Sequence, residues 1–299
     1  MMELEKTKAL YNQANDAYHN TDSPIMSDAE FDVLKQNLIA MGYDAAKHTV
    51  GAAPTGTTFK HRVPMLSLSN VFTEAGLFAF LKSVGNSMIT LEDKLDGLAC
   101  SLTYDNGILT MALTRGDGTN GEDILNKVCH MPSVPQVLPN GVNLEVRGEL
   151  VIDWVTFHEI NAGLILENKP PMKSPRNAAV GAIKRKGYTA PRGVKFIAYG
   201  WIGMGAMYDT IGMDILKEYG FETVWKTDKM FPYDHQNILT LAQERLHANT
   251  PVQKDGIVIK IDAIGLRDLF GMNNSSPNWA IAYKENSAIA ETQLIDVKW

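Results

Sequence analysis

The chain has 299 residues, 45% of them hydrophobic and 21% charged, with a formal net charge of −6. Those figures are ordinary for a globular protein of one large or two medium domains, and the acidic balance argues against a chain-wide electrostatic grip on nucleic acid. No run approaches the roughly 18 apolar residues of a membrane helix, and Cys100 and Cys129 are too few for a four-cysteine zinc site. The charged, amphipathic N-terminus has no secretory apolar core, so the expected location is cytoplasmic, with both thiols reduced.

Leu4, Tyr11 and Tyr18 recur at heptad spacing with Leu10, Ala14 and Ala17 alongside, which predicts a first helix. Ser27-Asp28-Ala29-Glu30 is a capping box opening a second, with Phe31, Leu34, Leu38 and Met41 as its apolar stripe and Gly42 as its stop. Together they form a helical unit too small to be very stable alone. Gly51 to His61, rich in Gly, Thr and Pro, reads as a linker or exposed loop. After the segment Pro64 to Asn70, Thr73 caps a helix from Glu74 to Lys82.

The chain is organised around Leu91 to Asp123. Two alternating apolar runs split by Asp105-Asn106-Gly107 predict a β-hairpin, with Lys94 just before its first strand and Arg115 ending the second near it. Val142 to Ile152 predicts a strand with Glu145, Arg147 and Glu149 on one face. A helix capped by Asp153 runs to Asn161. Between Glu167 and Lys195 eight Lys or Arg stand against one acid, a solvated face that can also serve phosphates. A strand at Val194–Trp201, helices near 209–219 and 236–247, and strands at Gly256–Asp262 and Trp279–Lys284 complete the reading. There is no internal repeat.

The chemistry sits in the charges that interrupt apolar strands: Glu92, Lys94, Arg115, Glu149, Lys260 and Lys284. Such residues are costly to bury unless paired or functional. Several cations and two carboxylates on successive strands predict a cleft for a polyanion, with a carboxylate for a metal or sugar hydroxyls. A lysine nucleophile must lose its proton, and Lys260 and Lys284 are expected to favour that at Lys94 if the strands converge. Its attack on an α-phosphorus would give a phosphoramidate.

Glu92-Asp93-Lys94-Leu95-Asp96-Gly97, then Thr114-Arg115-Gly116-Asp117-Gly118 and Gly121-Glu122-Asp123, resemble the adenylation module of bacterial and phage NAD-dependent DNA ligases. So do Glu145–Glu149, Pro175-Arg176-Asn177-Ala178-Ala179, Asp255–Lys260 and Trp279–Lys284, all in family order. The resemblance covers nearly the whole chain. It implies an α+β nucleotidyltransferase (ATP-grasp-like) fold of mainly antiparallel sheets with flanking helices. Residues 64–299 would form it, after a linker at 51–63 and a helical NMN-binding subdomain at 1–50.

Carried over, the resemblance makes Lys94 the residue that becomes AMP-lysine. Glu92 and Lys260 would contact adenine, Ser67 and Leu68 would line the nucleotide pocket, Arg115 would meet ribose or phosphate, Glu149 would hold the ribose, and Lys284 would approach the α-phosphate. Asp96 and Arg176 join this nucleotide site through their motifs. Tyr18, His19, Asp28, Ala29, Glu30, Phe31 and Asp32 resemble the surface that grips the nicotinamide half, which selects NAD over ATP or GTP. Mg²⁺ is the expected metal, with no protein ligand set of its own.

Where the family commonly has Tyr, Asp and Arg, this chain has Phe31, Ser69 and Lys184. It also lacks basic residues at Asn273–Asn278, and Glu285-Asn286 replaces Phe-Pro. The OB-fold, zinc, helix-hairpin-helix and BRCT parts lie beyond this sequence, which is expected to be a trimmed module or one subunit of a split ligase. Nicked duplex DNA would then be reached through other domains or a second subunit, with no membrane partner, and this chain alone is expected to seal nicks poorly. A capping or RNA-ligase-like transferase using ATP or GTP, and a non-catalytic NAD-binding subunit, stay open as alternatives. A dehydrogenase is disfavoured because no strand leads into Gly-x-Gly-x-x-Gly.

Overall fold

The computed structural model describes residues 2–20, 25–43, 56–185, 191–228, 230, 232, 234–273 and 275–285, without the side chains of 2, 3, 18–20, 28 and 29. Two helices come first, α1 (Met2–Asn20) and α2 (Asp28–Ala40). The Ser27 hydroxyl accepts from the Glu30 backbone N–H, while the Ser27 N–H donates to the Glu30 carboxylate at 2.7 Å, so the capping box forms as the residue types require. Tyr11, Ala14 and Leu38 are buried between the helices, and the Tyr11 and Phe31 rings stack 5.3 Å apart. Leu10 and Met41, expected on the apolar stripes, are exposed instead. Met41 falls at the C-cap, past the last helical residue of α2. Gly42 ends α2 at φ +85°, where a β-carbon is disfavoured.

Three sheets follow among the described residues. The smallest pairs β1 (Thr58–Lys60) with β6 (Asn120–Glu122), so part of the predicted linker is a strand. Its Gly- and Thr-rich flanks signal turns, and only the partner segment supplies the pairing. A first four-stranded sheet has the order β2 (Ser69–Val71), β10 (Ala280–Tyr283), β9 (Lys254–Ile261), β3 (Ile89–Leu95). Only β2 and β10 run parallel in it. A second is antiparallel throughout, in the order β5 (Ile108–Thr114), β4 (Leu98–Asp105), β7 (Leu144–Val151), β8 (Lys195–Ile202). The β4–β5 hairpin turns at Asn106 and Gly107, both at positive φ as a tight primed turn demands.

Each four-stranded sheet packs one face on its own helices. Ile89 and Leu91 of β3 with Ile257, Ile259 and Ile261 of β9 bury against α3 (Glu74–Ser83) and α8 (His235–His247). Leu102, Val146, Leu150 and Phe196 build the core of the second sheet, with Ala178, Ala179 and Ile183 of α6 (Pro175–Lys184) and Met213 and Leu216 of α7 (Asp209–Glu218) packed into it. Short α4 (Leu125–Val128), α5 (Trp154–Leu166), which runs one turn beyond its predicted end, and α9 (Ile264–Phe270) complete the set. Because side chains alternate along a strand, Glu92, Lys94, Val258 and Lys260 point away from the first core. They face the gap between the two sheets.

Candidate active site

That gap is a cavity of about 520 Å³ lined from both sheets and from α2. Lys94 precedes the β4–β5 hairpin as expected and itself lies in a strand, β3, opposite Gly256 of β9. The absent side chain at Gly256 matters: a β-carbon there would press on the Tyr283 carbonyl oxygen at 2.8 Å and on Lys284 Cγ at 3.1 Å. Directly after Lys94 the chain crosses to the second sheet through Asp96 and Gly97. A β-carbon on Gly97 would run into the Leu150 carbonyl oxygen of β7, so glycine is required where the sheets approach.

A chain of charges runs through the cleft. Lys94 Nζ donates to both Asp255 oxygens at 2.8 and 2.9 Å, Lys284 Nζ lies 3.0 Å from Asp255 Oδ2, and Lys284 also donates to Asp32 Oδ2 at 2.9 Å. Burial alone would raise the Asp255 pKa, but Lys94 and Lys284 outweigh it and hold the carboxyl below its usual range. Lys284 is pushed above the normal lysine range, because Asp255 and Asp32 outweigh its own desolvation. Lys94 therefore meets Lys284 across a shared carboxylate, not as two bare cations, which corrects the expected arrangement.

At the other end, Lys260 Nζ sits 2.7 Å from both Glu92 Oε1 and Asp209 Oδ2, and Arg267 reaches Asp209 at 3.2 Å while stacking 4.2 Å over the Trp279 ring. Burial pushes Glu92 up to about 7 against the pull of Lys260. Lys260 is thus held between two carboxylates, Glu92 and Asp209. Two short contacts, a cation and an acceptor side by side, form an edge that can recognise a base carrying both a ring acceptor and an amine.

From the second sheet, Glu149 is buried and lifted to about 7 by desolvation, opposed by Arg176, Lys94 and Arg115. Its carboxylate makes no hydrogen bond or ion pair among the described residues. The bulge between Arg147 and Gly148 in the β7–β8 pairing does not prevent Glu145, Arg147 and Glu149 from sharing a side: Arg147 Nε donates to Glu145 at 2.9 Å and its Nη atoms hold the Val63 and Pro64 carbonyls. Arg176 Nη1 donates to Asp96 Oδ1 at 2.9 Å and to the Gly97 carbonyl at 2.6 Å, fixing the turn after Lys94. His61 Nε2, 3.1 Å from the Arg115 carbonyl, steadies the loop that presents Arg115.

Phe31, Asp32, Ser67, Leu68, Glu92, Lys94, Asp96, Arg115, Glu149, Arg176, Lys260 and Lys284 all line the one cleft. Glu30 does not, since its carboxylate is engaged in the capping box. The side chains of Tyr18, His19, Asp28 and Ala29 lie outside the described ones. Sequence reasoning missed Asp255 as the counter-ion of Lys94, although it opens the Asp-Gly-Ile-Val-Ile-Lys motif. It also missed Asp209 and Arg267, which no motif marks, and Lys35, one helical turn from Asp32.

A model of the family described as NAD-dependent DNA ligase adenylation domain matches residues 55–288. The chain belongs to that family. It is 33% identical over 314 residues to a DNA ligase of Bacillus licheniformis, covering 99% of this chain and 47% of the relative. A DNA ligase of Roseobacter denitrificans is 35% identical over 326 residues, 99% of this chain and 46% of its own, and one of Halothermothrix orenii 36% over 305 residues, 94% and 45%. The chain spans about half the length of these curated relatives. Within this NAD-dependent ligase family the mainly antiparallel α+β architecture is as expected. No helix among the described residues is long and apolar enough to cross a membrane.

Proposed function

We propose that this chain carries out the first half-reaction of DNA nick sealing, transfer of AMP from NAD to Lys94 with release of nicotinamide mononucleotide. The observation that carries the reading is the position of Lys94: centred in the cleft, between the Asp255–Lys284 pair and the Arg176-anchored turn, in a chain of the NAD-dependent ligase family.

Lys94 gives up its ammonium proton and Nζ attacks the adenylyl phosphorus. An N–P bond forms as the P–O bond toward the nicotinamide half breaks, and that electron pair leaves on the nicotinamide mononucleotide phosphate. A second proton leaves the nitrogen as the phosphoramidate forms. Lys284 and Arg115, both lining the cleft, offset charge on the phosphoryl oxygens. Lys260 donates to the adenine ring nitrogen and ionised Glu92 accepts from its amine, while Glu149 accepts from ribose hydroxyls. Phe31 and Asp32 bring α2 against the nicotinamide half, and Tyr18, His19, Asp28 and Ala29 are read as part of the same surface.

Among the described residues no group of three or more His, Cys, Asp or Glu is arranged to hold a metal. With Asp255 engaged by Lys94 and Lys284, an Mg²⁺ would be held mainly by the phosphates and its own water, and would supply charge neutralisation there. Adenylyl transfer onward to nicked DNA, in replication and repair in the cytoplasm, belongs to a ligase of the relatives' length or to an added subunit.

Incubation with NAD labelled on its adenylyl phosphorus is expected to label the protein covalently, and equally labelled ATP or GTP to leave it bare. Labelling by ATP or GTP and not by NAD would replace this reading with that of a nucleoside-triphosphate transferase. Tight NAD binding with no label from any nucleotide would make the chain a binding subunit.

A further inference from the structure

The cations of the cleft are mostly spoken for. Lys94 and Lys284 share Asp255, Lys260 sits between Glu92 and Asp209, and Arg176 holds Asp96. Lys35 differs. It lines the cavity from α2 and is half-buried, yet among the described residues it has no hydrogen-bond or ion-pair partner.

The helix puts it there. Phe31 and Lys35 are four residues apart and Asp32 and Lys35 three, so all three project from one face. That face is fastened to the cleft by the 2.9 Å bond from Lys284 to Asp32. Burial lowers the Lys35 pKa, Asp32 opposes this, and the charges of Arg115 and Lys284 lower it further. Asp32, already bonded to Lys284, is the one acid acting on Lys35 against two cations, so a half-buried lysine with no hydrogen bond or ion pair of its own leaves room for an anion.

This inference rests on the reading of the cleft as an NAD site. NAD offers two phosphates and a cationic nicotinamide ring, and the ring would be repelled by Lys35. The adenylyl phosphate lies at Lys94 and Lys284 in that reading. We propose that Lys35 binds the phosphate of the nicotinamide mononucleotide half, so that the helical unit supplies a cation where negative charge grows as the leaving group departs. Lys35 would then contribute both to ground-state binding and to the transfer step.

The test compares the wild-type chain with Lys35→Met and Lys35→Arg. Calorimetric titration with nicotinamide mononucleotide and, separately, with AMP is paired with the rate of adenylyl-lysine formation from saturating NAD. We expect Lys35→Met to lose at least tenfold in affinity for nicotinamide mononucleotide, to keep its AMP affinity and to form adenylyl-lysine more slowly. Lys35→Arg should recover most of the affinity. Unchanged mononucleotide affinity in Lys35→Met, or an equal loss in Lys35→Arg, overturns the proposal. Failure of the wild type to form adenylyl-lysine, with the mononucleotide affinities as expected, would overturn the reaction and leave the Lys35 site standing.

Discussion

Lys284, directly after the last strand of the first sheet, donates to Asp32 of helix α2 at 2.9 Å, tying the N-terminal helices to the wall that carries Lys94. Both side chains are mostly buried, at 12% and 23% exposure, so the pair is screened less than a surface ion pair. Asp32→Asn keeps the shape and removes the charge. The expected result is a KM for NAD raised by about tenfold, near 1.4 kcal/mol, with AMP affinity little changed. Steady-state adenylation and AMP titration of the variant check this, and an equal loss for AMP would place Asp32 in the wrong half of the site.

The turn after Lys94 depends on Arg176, whose Nη1 bonds Asp96 and the Gly97 carbonyl, with Gln253 Nε2 on the second Asp96 oxygen at 2.8 Å. Arg176→Ala removes the guanidinium that pairs with Asp96, which is 3% exposed. Breaking such a buried pair costs about 3–5 kcal/mol, so a clear drop in Tm is expected by calorimetry. Gly97→Ala should also displace Lys94, because its added carbon meets the Leu150 carbonyl oxygen. We expect adenylation to fall by about two orders of magnitude, the loss that a misplacement of about 1 Å can cause.

Glu149 gives a pH signature. Its folded pKa is held up at about 7 by burial, above the 4.5 of a free glutamate. Below about 4.5 both folded and unfolded chains hold the proton and the group is neutral in its effect. As pH rises toward 7 only the unfolded chain ionises freely, so Glu149 costs the fold stability that is fully lost above 7. Glu149→Gln removes that cost, and its stability relative to wild type should grow from pH 4.5 to 7, by at most ~3 kcal/mol. Adenylation should move oppositely, since ribose hydroxyls need the ionised acceptor. Urea titrations at several pH values check the first part, and a stability difference that is flat with pH would contradict it.

The strands and their inward faces were legible because apolar residues alternate with charges: Ile257, Ile259 and Ile261 turn to the core and Lys260 to the cleft, as period two dictates. The helices were legible from caps, with Thr73 and Asp153 each accepting the expected backbone N–H. Pairing was not. β1 is flanked by turn-forming residues and becomes a strand only because Asn120–Glu122 returns beside it. The lysine motif and its order showed the cleft, but the counter-ions come from distant segments. Asp255 reaches Lys94 across 161 residues of chain, and Asp209 meets Lys260 through α7. A residue such as Lys35 has no local pattern to announce it; only its place in the folded cleft, with no hydrogen bond or ion pair among the described residues, does.

Lys94 Nζ is the proposed nucleophile toward NAD. Intact mass measured after incubation with NAD and Mg²⁺, followed by peptide mapping, tests it directly, with Lys94→Ala and Lys94→Arg alongside. One added AMP is expected in the wild type, located on the peptide holding Lys94, and none in either variant. An AMP adduct that persists in Lys94→Ala, or that maps to another residue, would contradict it.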